Sequence, residues 1–346
     1  MTEIDIRTEG HAGRITLNRP KALNALTHDM ALAIHAALRD WAQDDAVKLV
    51  VIDAAGDKAF CAGGDIAALY RSGVAGDYAY GHRFWTDEYR MNAALFEYAK
   101  PVVSLMQGFS MGGGVGIGCH GSHRIVGDTI QIALPECSIG LVPDVGSSLI
   151  LARAPGRLGE YLGLTGARLG PADTILAGFA DSYIPEADWP ALIAELCATG
   201  DAGIVADAAT TPPGGTLAPQ AAQIDALFAG DTLADILDTL RADGGELAAA
   251  ALKSMTRNAP LSMACTIEMV RRLRDADGIR AALDMEYRFT WRAMEHADFL
   301  EGIRAAIIDK DRNPQWRHAL DGVSRADVTA MLAPLGADTL TFEEEN

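Results

Sequence analysis

The densest run of residues able to do chemistry lies between Gly108 and Ser148. Three consecutive glycines, Gly112, Gly113 and Gly114, follow an apolar stretch, Pro101–Met106, long enough for a buried strand. Glycines let a backbone come close to a ligand, and the N–H groups at a helix start point at developing negative charge. Farther on, Glu136 and Asp144 stand eight residues apart, each directly after a proline and among apolar neighbours. A charge in such a run is either solvated or has a task. Desolvated carboxylates are the usual material of acid–base and nucleophilic catalysis, although turn or N-cap roles would use the same residue types. The stretch reads as an anion-stabilising backbone pocket facing a working carboxylate.

Gly108-Phe-Ser-Met-Gly112 also matches the G-x-S-x-G elbow of serine hydrolases, with Ser110 as nucleophile. That chemistry needs an acid and then a histidine downstream. His120 and His123 follow too soon for a further strand to intervene, and His296 and His318 fall in or beyond a helical region. Ser110 is therefore the weaker alternative. The five cysteines, Cys61, Cys119, Cys137, Cys197 and Cys265, are odd in number and form no C-x-x-C pair. Neither a disulfide framework nor a metal site is expected, and they read as small buried hydrophobes.

These residues need a scaffold, and 346 residues can bury a sizeable core. Hydrophobic residues are 49% and charged residues 22%, an ordinary globular balance with no membrane-spanning run. The net charge of −18 excludes nucleic acid and anionic membranes as expected partners. The N-terminus, MTEIDIRTEG, is acidic and lacks the features of signal and transit peptides, so the expected location is cytoplasmic.

Ile4–Ile6 and Arg14–Leu17 flank Gly10 and Gly13 as a hairpin. Thr27 caps a helix whose apolar face is Met30, Ile34, Leu38 and Trp41. Lys48–Ile52 is a strand, Asp77–Tyr98 a helix, and Phe179–Ile184 a further strand. The repeating strand–turn–helix order predicts stacked ββα or βα units with working loops at strand ends. Thr199–Gln220, rich in Ala, Gly, Thr and Pro, is the expected linker. Beyond it the pattern is helical, over Thr232–Arg241, Gly245–Arg257, Leu261–Arg274 and Gly278–Glu295, and the acidic end Thr341–Asn346 is expected to fray.

The chain resembles the crotonase (enoyl-CoA hydratase/isomerase) superfamily through Ile15–Pro20, Ala59-Phe-Cys-Ala-Gly-Gly-Asp65, Met111–Gly114 and Pro135-Glu136. It is most similar to the 3-hydroxyisobutyryl-CoA hydrolase branch through Leu134–Gly146, Asp87-Glu-Tyr89, Met285-Glu-Tyr-Arg288, Asp298–Asp311 and Pro314-Gln-Trp316. The resemblance implies an α/β fold: a crotonase-like core of stacked ββα units over residues 1–200, followed by a helical C-terminal region over 201–346.

It further implies that the backbone N–H groups of Gly64 and Gly113 hold a thioester oxygen. Hydratases of the superfamily use two glutamates; the second matches Glu136, but the first would fall at Gly116. Asp144 stands where hydratases carry glycine, which is the hydrolase pattern, while Gly146-Ser-Ser148 departs slightly from the glycine-rich run usual there. The implied activity is hydrolysis of 3-hydroxyisobutyryl-CoA in valine breakdown, with Glu136 as nucleophile or base; an enoyl-CoA hydratase or isomerase is the alternative. Glu88 matches the position that bonds the acyl hydroxyl, and Ala62, Asp65 and Ile66 match the adenine pocket. Arg19 and Lys21 are candidates to meet the CoA phosphates. No metal or other cofactor is implied, CoA being part of the substrate. A homo-oligomer is allowed, since relatives often form trimers.

Overall fold

The computed structural model describes residues 2–342. The chain forms two compact units, each assembled from separated stretches. The first takes the chain up to Gly64, then Asp87–Ala133 and Arg168–Thr216; the second takes Asp65–Thr86, Leu134–Ala167 and the chain from Leu217 onward.

The first unit holds the strands. They are β1 (Ile4–Glu9), β2 (Ala12–Leu17), β3 (Leu49–Ala54), β4 (Ala59–Cys61), β5 (Val102–Met106), β6 (Phe109–Met111), β7 (His123–Val126), β8 (Gln131–Ala133) and β9 (Ser182–Tyr183). One sheet has the order β1-β2-β3-β5-β7-β9, and a smaller one the order β4-β6-β8. Among the described strand pairs only the β1–β2 hairpin is antiparallel. Successive pairs β3–β4, β5–β6 and β7–β8 therefore send one strand to each sheet, which is the stacked repeat expected from the sequence.

Parallel strands covered on both faces read as unbroken apolar runs, and Val50, Val51 and Ile52 are all fully buried. Alternate residues Leu49 and Val51, Val103 and Leu105 pack with Trp189, Leu192 and Leu196 of the helix Trp189–Thr199. The helix His28–Ala42 starts as predicted, with the Thr27 side chain accepting the Met30 N–H at 3.3 Å.

The division between the two units falls after Thr216, inside the expected linker Thr199–Gln220, and the part before it is packed. Ala202 and Val205 join the sheet core, Thr210 bridges to Tyr183, and the N–H and hydroxyl of Thr216 donate to the Asp173 carboxylate. Small residues in that stretch permit close packing as readily as freedom.

The second unit is helical. Its centre is Pro260–Arg272, which buries nine residues, flanked by Ser147–Arg153, Leu158–Thr165, Leu233–Asp243, Glu246–Met255 and Ile279–His296. Glu160 is fully buried and held by Arg157 at 2.7 Å and Arg274 at 3.0 Å. Of the C-terminal end, Phe342 lies under the Arg280 guanidinium at 5.1 Å, and residues 343–346 of the expected frayed tail lie outside the described residues.

Candidate active site

In the first unit the two predicted N–H donors sit at matched places on paired strands. β4 and β6 run parallel with Cys61 opposite Ser110, and Gly64 and Gly113 each lie three residues beyond that pair. The Ala62–Gly64 loop is tied down by the segment before the first long helix. Leu26 N–H donates to the Gly63 carbonyl at 2.9 Å, and Ala62 N–H to the Leu23 carbonyl at 3.0 Å. Buried Asn24 braces the same region, donating to the Ala55 and Ala59 carbonyls, both at 2.9 Å.

Gly113 opens the short helix Gly113–Gly118, whose first internal bonds come from Val115 and Gly116 to Gly112. The N–H of a first helical residue has no partner within its helix. The neighbouring glycine is a packing requirement: a Cβ on Gly114 would meet the Cys61 carbonyl oxygen at 2.1 Å. Glu88, buried on the later part of the helix Tyr78–Phe96, approaches Gly113, where an added Cβ would lie 3.0 Å from its Oε1. Glu88 thus lies beside Gly113, and Gly64 follows the strand paired with the one that leads to Gly113.

Ser110 is not an elbow residue. It lies within β6 rather than on a strand-to-helix turn, and its fully buried hydroxyl has no hydrogen-bond partner among the described residues. Gly108 of the same pentapeptide is explained by crowding, because a Cβ there would strike the Lys58 carbonyl at 2.2 Å.

Lys21 is exposed and lines a cleft of about 250 Å³ with Pro20, Asn24, Gly56 and Lys58. Arg19 is committed elsewhere, to Glu3 and the Ala25 carbonyl. Lys58 was not a sequence candidate; no local pattern announces it, because only the turn between β3 and β4 sets it beside Lys21. Ala62 is half-buried in the first unit, while half-buried Asp65 and Ile66 open the second at the start of the helix Ile66–Val74.

The second unit carries the acids. Glu136 and Asp144 are 5% and 4% exposed, so both predicted carboxylates are out of bulk water. Glu136 begins a 3-10 turn, Glu136–Ile139, because Pro135 sets the entry and Gly140 closes it at φ 74°. That turn is pressed against the segment after the longest C-terminal helix: a Cβ on Gly140 would meet Asp298 backbone at 2.4 Å, and one on Gly302 would meet the Ile139 carbonyl at 2.2 Å.

Asp144 begins a second turn, in which Val145 and Gly146 both take left-handed φ, 56° and 81°. Here the structure adds a residue whose part the sequence did not reveal. Fully buried Glu286 accepts N–H bonds from Gly146 at 2.8 Å and Ser148 at 3.1 Å, and a hydrogen bond from the Ser148 hydroxyl. Burial first, and the Asp144 charge second, push its pKa up to about 8.

The profile of the enoyl-CoA hydratase/isomerase family matches residues 12–332. The chain belongs to this family. Its relatives include the 3-hydroxyisobutyryl-CoA hydrolase, mitochondrial, of Xenopus tropicalis, 40% identical over 90% of this chain and 83% of that protein. The human protein of the same name is 36% identical over 98% and 91%. A crystal structure described as an enoyl-CoA hydratase from Rhodobacter sphaeroides has TM-score 0.95 and 59% identity, covering 98% of this chain and 100% of that one. Another, a carnitinyl-CoA dehydratase from Mycobacterium thermoresistibile, has TM-score 0.94 and 42% identity over the whole of both chains.

The crotonase-like α/β fold with a helical C-terminal region is borne out, and the chain is that of an enzyme. The frog and human names carry a mitochondrial location, which differs from the cytoplasmic expectation drawn from the N-terminal residues. Among the described residues no helix is long and apolar enough to cross a membrane.

Proposed function

We propose that this family member hydrolyses the thioester of a short 3-hydroxyacyl-CoA, 3-hydroxyisobutyryl-CoA in valine breakdown being the substrate. The N–H groups of Gly64 and Gly113 take up the charge that grows on the thioester oxygen, each such donor contributing about 3 kcal/mol. Glu136 acts on the carbonyl carbon in one of two ways. As nucleophile it expels the CoA thiolate and forms a mixed anhydride, which water opens to regenerate the carboxylate. As base it takes a proton from the attacking water, and the C–S bond breaks as the tetrahedral adduct collapses.

A thiol whose pKa is about 8.5 in free form leaves with little acid help. Asp144 orients the water and keeps Glu136 in its reactive form, and Glu88 accepts a hydrogen bond from the acyl hydroxyl. Lys21, with Lys58 across its cleft, meets the CoA phosphates, while Ala62, Asp65 and Ile66 line the adenine. The scheme calls on no metal or redox group.

One observation carries the choice of hydrolysis: the position of the first hydratase glutamate is Gly116, buried within the helix Gly113–Gly118, while a buried Asp144 is present instead. Two acids are needed to handle water across a double bond, and only Glu136 of that pair is here.

Thiol release across a panel of acyl-CoAs is the test. Hydrolysis predicts free CoA from 3-hydroxyisobutyryl-CoA and a loss of roughly 10²-fold or more in kcat for Glu136→Gln. Retention of most turnover by that variant sinks both versions of the mechanism. The names of the two solved structures favour a second reading, hydration. Conversion of crotonyl-CoA to its 3-hydroxy product without free thiol would establish it.

A further inference from the structure

Glu286, on the helix Ile279–His296, takes no part in the scheme above, yet it is fully buried and every hydrogen bond described for it reaches the turn that begins at Asp144. Three donors converge on its two oxygens: Gly146 N–H on Oε2, and Ser148 N–H and hydroxyl on Oε1. The turn is also bonded to itself, Ser147 N–H donating to the Asp144 carbonyl at 2.9 Å.

Its backbone is held in an unfavourable shape. Val145, a β-branched residue, sits at φ 56°, directly before Gly146 at φ 81°. Such a conformation persists only where the surroundings over-determine it. Backbone N–H groups gathered by a tight turn form a concave anion site, and here the anion is supplied from within the unit. A glutamine could not replace it, since its amide would set N–H donors against backbone N–H donors.

We propose that Glu286 is a positioning residue whose ionised carboxylate clasps the Asp144–Ser148 turn and thereby holds Asp144 in its working orientation. This rests on the reading of Asp144 as a working carboxylate. The ionisable neighbour acting on Glu286 is Asp144 itself. Arg288 and Arg292, on the same helix, turn instead to the Leu332, Met331 and Ala333 carbonyls, and Asp284 is paired with Arg288. Burial and the Asp144 charge oppose ionisation of Glu286, while the Ser148 hydroxyl and the two N–H groups favour it. The clasp thus tightens as pH rises through the titration of Glu286.

The test uses the full chain in three variants, Glu286→Gln, Ser148→Ala and Asp144→Asn. Thiol release is followed from pH 6 to 9.5 (roughly the span around a carboxyl raised by burial), with amide hydrogen exchange of Gly146 and Ser148 read in parallel. The clasp predicts that wild-type kcat rises with pH as Glu286 ionises. Glu286→Gln loses that rise and about tenfold or more in kcat while KM stays within about threefold, and the two amides exchange at least tenfold faster. Ser148→Ala keeps the fold but removes one donor, so the rise moves to higher pH.

Unchanged amide exchange in Glu286→Gln, or a Ser148→Ala profile superimposing on wild type, overturns the clasp. If Glu286→Gln does not fold, the Ser148→Ala profile and exchange decide alone. Asp144→Asn separates the two ideas: full turnover in that variant refutes the working role of Asp144, whereas a dead Asp144→Asn beside a fully active Glu286→Gln refutes the clasp.

Discussion

A methyl group on Gly114 would lie 2.1 Å from the Cys61 carbonyl oxygen, with backbone on both sides of the clash. Gly114→Ala is therefore expected to cost about 1–3 kcal/mol of stability, as overpacking does, and to lower kcat by displacing Gly113 next to it. A thermal melt and a thiol-release assay on one preparation check both. Glu286 gives a second expectation. Its pKa in the folded chain is about 8 against an ordinary 4.5, so between those values the folded state holds a proton that the unfolded state has lost. Unfolding free energy therefore falls as pH rises through that window and levels off above about pH 8. Urea titrations at several pH values should show this slope in the wild type and lose it in Glu286→Gln. Glu136, Asp144 and the glycine run were legible because short motifs with prolines and glycines announce themselves. The clasp was not: nothing local marks Glu286 as the partner of a turn formed so far upstream.

The two turns that carry acids depend on elements distant in sequence. Ile139 meets Gly302 backbone to backbone, and Ala259 N–H donates to the Cys137 carbonyl at 2.8 Å. Gly302→Ala should shift the Glu136 turn, and we expect kcat to fall at least tenfold while the CoA-phosphate contacts, and so KM, change little. Steady-state kinetics of that variant decide it. Longer helices were read within a few residues, because caps such as Thr27 and Thr232 and an apolar stripe fix their ends. The smaller sheet was less legible. β4, β6 and β8 have three residues each, too few for alternation to show, and their pairing is set by tertiary register. Thr199–Gln220 was legible only in part: the two units divide within it, after Thr216, while its earlier small residues pack into the sheet core.

Over the whole molecule the net charge is −18, and the proposed ligand is itself a polyanion. Lys21 and Lys58 share one cleft, so a local field must outweigh the general one. Replacing both with alanine is expected to raise KM several-fold with kcat unchanged, and the difference should shrink at about 1 M salt, where the screening length is only about 3 Å. KM measured at low and high ionic strength tests this. Composition had already pointed away from nucleic acid, but it could not say which cations matter, because that depends on the β3–β4 turn.

The backbone contact between Ile139 and Gly302 has a bearing on how the enzyme is made. A ribosome can finish the strands, and with them the paired glycine loops, long before the segment that braces the Glu136 turn has been synthesised. On the proposed roles, a nascent chain gains its oxygen-binding glycine N–H groups early and its settled acid almost last.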